Sequence, residues 1–225
     1  MSSEVDIVNL ALSHLGDAAE VEAIDPPDGT AQAGHASRFY PIARGVLLEM
    51  HPWTFATKRV AVSEVDNVFE DDWAYAYALP STCLRPLTAL YPGVAARAFS
   101  NSTDAEGFPY IVEAAEDGTA VLYTNVETAV LRYIDLITDT TKYTPLFVSC
   151  LSRLLASYLA GPVIKGAEGS KAAGMQLKIF EVEFAKAAAM NANVGKRTGY
   201  QNFRPGHLAG RGAVVLPEGY VDRSE

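Results

Sequence analysis

Apolar residues recur at helical spacing at both ends of the chain and in short extended runs between them. Val5, Val8, Leu12 and Leu15 predict a helix over residues 4–15, with Gly16 as its stop. After a loop punctuated by Pro26-Pro27 and Asp28-Gly29, Ala33, Ala36, Tyr40, Ala43, Leu47 and Met50 lie on one stripe of a second helix over 30–50. Pro41 falls inside that helix and predicts a kink, and Pro52 ends it. The pattern then shortens. Extended runs are predicted at 56–62, 74–79, 87–91, 110–113, 120–124 and 129–137, and Asp117-Gly118 marks a hairpin between two of them. In the last run, apolar residues on both alternating faces predict a strand buried on both sides. Helical spacing returns from Pro145, with Phe147, Leu151, Leu154, Leu155 and Tyr158 as the stripe and Gly161-Pro162 as an end or bend. A final helix over 168–190 is predicted to turn Ala172, Met175, Ile179 and Val182 inward, leaving Lys171, Lys178, Glu181 and Lys186 outside.

This order predicts an α+β chain. Helices from residues 1–51 and 141–190 form an antiparallel bundle, a β-rich domain over 52–140 is inserted between them, and residues 191–225 extend as a C-terminal arm. The arm is rich in glycine and poor in periodic apolar positions. It carries a net charge of +2 in a chain of −9, leaving −11 on residues 1–190. An acidic body lacks the cation excess that general nucleic-acid binding needs. No apolar run approaches the roughly 18 residues that span a bilayer. The N-terminus has no basic leader, so no secretory signal is expected. Cys83 and Cys150 stand far apart without metal-site spacing and are expected to be buried thiols of a reducing compartment.

Catalytic patterns fail when tested. Gly161 to Gly166 has the glycine spacing of a phosphate loop, but Ala167 stands where the lysine is needed. His14, His35, His51 and His207 lack His or Cys partners at metal-ligand spacing. No metal or cofactor is therefore expected. His14 is expected on a helix surface, and His51 in packing or hydrogen bonding at a corner. Glu70-Asp71-Asp72 is the densest carboxylate cluster and, with Asp135, the basis of an alternative reading as a carbohydrate-active or metal-dependent hydrolase. The bland reading of that cluster is a solvated loop. Trp73, Tyr75 and Tyr77 alternate, which suits one packed strand face or, on a third reading, a glycan-binding platform.

Four segments in order carry a resemblance: Asn9 to Gly16 (NLALSHLG), His51 to Ala56 (HPWTFA), Trp73 to Pro80 (WAYAYALP) followed by Cys83-Leu84-Arg85, and Leu151 to Pro162 (LSRLLASYLAGP). Together they resemble the tail tubular protein A family of phage head-to-tail adaptors, or gatekeepers, over about residues 5–190. Thr54 stands where that family often has Asn, and the 191–225 extension lies outside the shared pattern.

The resemblance implies a non-enzymatic virion protein, made in the host cytoplasm, that sits at the head-tail junction. Its partners would be further copies of itself in a ring, usually dodecameric in that family, the portal protein above, and a tail nozzle, tube or stopper protein below. DNA would pass through the channel without sequence-specific binding, and no membrane would be involved. In this reading His51, Pro52, Trp53 and Phe55 fix the junction between helical and β regions. Tyr75, Tyr77 and Leu79, introduced by Trp73 and ended by Pro80, lock a strand against that corner. The basic residues Lys196, Arg197, Arg204 and Arg211 are candidates for the contact with a neighbouring copy or the portal.

Overall fold

A computed structural model describes residues 3–91, 107–115 and 117–194. Its class is α+β, with four helices and two antiparallel sheets. Helix α1 (Glu4–His14) opens with a reciprocal cap, in which Asp6 N–H donates to Ser3 Oγ and Ser3 N–H to Asp6 Oδ2. Gly16 closes it at φ +76°, a conformation that costs glycine little. The following loop is tied back by Asn9, whose side-chain amide both donates to and accepts from the backbone of Val21. Helix α2 (Ala31–Met50) is capped by Thr30 and runs through Pro41, whose ring lies on the exposed side. Its predicted stripe is buried from Ala33 to Leu47, whereas Met50 is exposed.

Helix α3 (Pro145–Ile164) lies between the other helices and contacts α1, α2 and α4 (Gly166–Val194). Contrary to the expectation that no apolar run is long enough, α3 could cross a membrane by length and composition. Here Phe147, Leu151, Leu154, Leu155 and Leu159 are instead buried in the core that α1, α2 and α4 share. Gly161-Pro162 does not end the helix, which continues to Ile164. The chain reverses three residues later, at Lys165 (φ +63°) and Gly166 (φ +63°). Gly169 then lets α4 approach closely, since a Cβ there would sit 2.9 Å from the Ala160 carbonyl oxygen.

Helix α4 departs from the expected pattern in two ways. Its buried positions are Gly169, Gln176, Phe180, Ala187 and Asn191, not the predicted apolar set. Met175 is 64% and Val182 56% exposed. The helix also runs through Val194, so residues 191–194, assigned by sequence to the arm, are helical. Hydrogen bonds explain both differences. Gln176 Oε1 accepts from Arg153, and its amide caps the C-terminal carbonyl of His14. Asn191 is held by the corner described below. Burying an amide with its partners met costs little, so polar residues can take the inward positions.

Between α2 and α3 lie seven strands: β1 (Thr57–Ala61), β2 (Ser63–Glu64), β3 (Tyr75–Ala78), β4 (Cys83–Leu90), β5 (Tyr110–Ala114), β6 (Ala120–Thr124) and β7 (Val130–Asp135). One sheet has the order β1-β7-β4 and the other β2-β3-β6-β5. The β5–β6 hairpin turns at Gly118 (φ +81°), as Asp117-Gly118 predicts. Strand β4 begins earlier than the sequence suggests because Pro86 masks it. Proline is tolerated there at an edge strand beside a register shift. Strand β7 is the centre of its sheet. Ile134 faces the helical core, and Leu131 and Tyr133 face a second cluster with Tyr77 and Leu122 of the other sheet. Helices, three-stranded sheet and four-stranded sheet thus stack in that order.

Candidate functional site

The chain leaves α2 at His51-Pro52, turns at Trp53 and enters β1. Pro52 cannot continue a helical hydrogen-bond ladder, so the turn is built into the sequence. Trp53 is 1% exposed. Its indole N–H donates to the Leu47 carbonyl at 2.8 Å, satisfying one of the carbonyls that every helix leaves open at its C-terminus. Its ring meets Phe147 edge-on at 5.1 Å and Phe184 at 6.2 Å, and stacks at 6.2 Å on Phe55. Phe55 in turn contacts Phe147 and Tyr143. One corner therefore joins α2, α3, α4 and the entry to the three-stranded sheet.

Asn191 completes the corner, with no local signal beyond its place seven residues after Phe184. The Thr54 backbone N–H (3.2 Å) and hydroxyl (3.0 Å) both approach its Oδ1. A backbone N–H can only donate, so this fixes the amide orientation. The Nδ2 group then faces His51 Nε2 at 3.0 Å and the Pro52 carbonyl at 3.5 Å. Because Nδ2 donates, Nε2 accepts, and the ring proton of neutral His51 sits on Nδ1. The His51 ring also meets Trp53 edge-on at 4.9 Å. Burial first, and the Arg85 guanidinium second, hold its pKa below the ordinary 6.5.

The other predicted site residues lie elsewhere. Tyr77, with Tyr75 and Leu79 packed beside it, belongs to the cluster between the two sheets, not to the Trp53 corner. They do not lock a strand against it, because the three-stranded sheet stands between. Trp73 precedes β3 and packs on the opposite face, with Ala76 and Tyr123, so the alternation begins only at Tyr75. Trp73 and Tyr75 are both half-buried against these clusters. Pro80 closes β3, its carbonyl accepting from Cys83 N–H at 2.9 Å. Lys196, Arg197, Arg204 and Arg211 lie outside the described residues.

The carboxylates do not converge. Glu70, Asp71 and Asp72 are exposed on a loop. Asp135 is buried in β7, where it pairs with Lys58 Nζ at 2.6 Å and accepts from the Thr82 hydroxyl. Among the described residues no group of three or more His, Cys, Asp or Glu side chains could hold a metal ion. Cys150 is buried as expected, whereas Cys83 is only half-buried; in both, loss of water pushes the thiol up to about 11, so both are protonated near neutral pH.

Two segments of the resemblance do meet. His14, predicted on a surface, is half-buried, with Nε2 3.1 Å from Ser152 Oγ. Ser152 donates to the Ser149 carbonyl, so the imidazole is the donor in the His14–Ser152 bond. Around them Ser149 donates to Glu183 at 2.6 Å, and Arg153 bridges Gln176 at 3.0 Å and Glu183 at 3.4 Å. This network sets the azimuth of α1 and α4 on α3 through directional bonds.

No protein-family model matches the chain, and no curated protein matches it either.

Proposed function

We propose that this chain is a phage head-to-tail adaptor: a subunit of a ring of about 12 copies, seated under the portal and linking it to the tail nozzle, tube or stopper. The observation that carries the reading is the arrangement at Trp53. Helices from both ends of the chain share one core there, and the β strands leave from it, in the order in which the resembling segments occur. In this reading the helices form an antiparallel bundle into which the β domain is inserted. The net charge of −9 suits a wall around passing DNA, since like charge keeps phosphate from adhering. A closed ring needs head-to-tail contacts between unlike faces. The exposed Met175, Val182 and Met190, interleaved with the exposed Lys178 and Lys186, give α4 a mixed apolar and basic outer face for such a contact.

The test is genetic. A phage with a stop codon early in this reading frame is expected to produce DNA-filled heads that lack tails, counted by electron microscopy, with complementation by the intact gene. Alanine at Glu70, Asp71 and Asp72 together is expected to complement fully. Normal tailed particles from the stop-codon phage, or loss of complementation by the triple variant with the protein still folded, would count against the reading.

A further inference from the structure

Asn191 ties the last turn of α4 to the corner through one amide that must serve opposite demands. Its oxygen is committed to two Thr54 donors and its nitrogen to the acceptor Nε2 of His51. Protonating His51 at Nε2 turns that acceptor into a donor facing a donor. Flipping the amide would satisfy the imidazolium but set Nδ2 against the Thr54 backbone N–H. Neither orientation meets both, and although His51 is half-buried and Thr54 exposed, the Asn191 amide itself is only 9% exposed and has little water to turn to instead. The groups facing His51 offer the cation no help. They are Trp53, Phe184 of α4, Asn191 and, as the charged group bearing on it among the described residues, Arg85 of β4, which repels it.

We infer that the His51–Asn191–Thr54 contact is a pH-sensitive latch, in which protonation of His51 releases the last turn of α4 from the corner. That turn, Asn191–Val194, leads directly into residues 195–225.

The sign follows from linkage. A histidine whose pKa is lower in the latched state than when released stabilises the latch fully above 6.5, and that contribution is lost as pH falls through the latched value. Within this window the opening equilibrium rises by up to about tenfold per pH unit. The experiment uses the full chain. NMR titration of the His51 ring is expected to give a midpoint below 6.5. In Asn191→Asp, whose carboxylate accepts from Thr54 and from the imidazolium alike, the midpoint is expected above 6.5. Hydrogen exchange of residues 191–194, corrected for intrinsic rates, is expected to accelerate on acidification through the His51 midpoint, and His51→Gln is expected to abolish that step. A wild-type midpoint at or above 6.5, no acceleration, or a step that survives in His51→Gln overturns the inference. The wild-type titration and exchange decide the matter even if a variant fails to fold.

Discussion

Replacing Trp53 with alanine is expected to lower the unfolding free energy by about 3–5 kcal/mol, the range for deleting a fully buried large aromatic. The residue is 1% exposed and touches aromatic rings from α3, α4 and the β1 approach, so few neighbours can collapse into the space it leaves. The cavity would open where both ends of the chain meet. Trp53→Phe separates the parts of this effect. It keeps most of the ring contacts but leaves the Leu47 carbonyl without its indole donor, a loss of about 1 kcal/mol. Urea denaturation of the two variants, followed by circular dichroism, checks the ranking. If Trp53→Ala costs no more than Trp53→Phe, the corner is not the keystone described above.

The second prediction is one of opposite signs from the same substitution. Gly169→Ala is expected to destabilise the fold by about 1–3 kcal/mol. The new methyl would meet the Ala160 carbonyl oxygen at 2.9 Å and the Gly161 backbone at 3.5 Å, neither of which is a flexible side-chain end. Gly174→Ala, five residues along the same helix, meets nothing within 4 Å. It is expected to stabilise by about 0.5–1 kcal/mol, because glycine is a poor helix former. Thermal melts of the two variants should shift in opposite directions. Equal shifts would mean that α3 and α4 do not approach at Gly169 as described.

These two glycines show where the chain's pattern is legible and where it is not. The stripes of α1, α2 and α3 can be read from spacing because they are filled by Leu, Ile, Val, Ala and aromatic residues, and burial follows area removed from water. The face of α4 cannot be read that way. Its inward positions are a glycine that admits backbone, two amides that answer specific partners, and only Phe180 and Ala187 as apolar fill. Hydropathy scores Gln176 and Asn191 as outward and Met175 and Val182 as inward, and the hydrogen bonds reverse both. Strand β4 was hidden for a different reason: Pro86 argues against a strand interior, and only pairing at an edge with a register shift reconciles it.

The corner was half legible. Pro52 fixes the end of α2, and Trp53 announces a large buried contact. Their long-range partners have no local signal. Asn191 lies 140 residues from His51 and Ser152 lies 138 from His14, and each pair is joined only by the packing of α1, α2 and α4 around α3. The strand of Tyr75 and Tyr77 was legible as a strand, but not as one separated from the corner by another sheet, since alternation reports a face and not its neighbour.

Native mass spectrometry of the purified chain, alone and mixed with its cognate portal, tests the central claim most directly. The proposed adaptor is expected to run near its monomer mass of 24.2 kDa alone and to add a ring of copies, about 12, to the portal oligomer, in line with closed point-group assembly. A portal that keeps its own mass in the presence of excess folded chain would contradict the account.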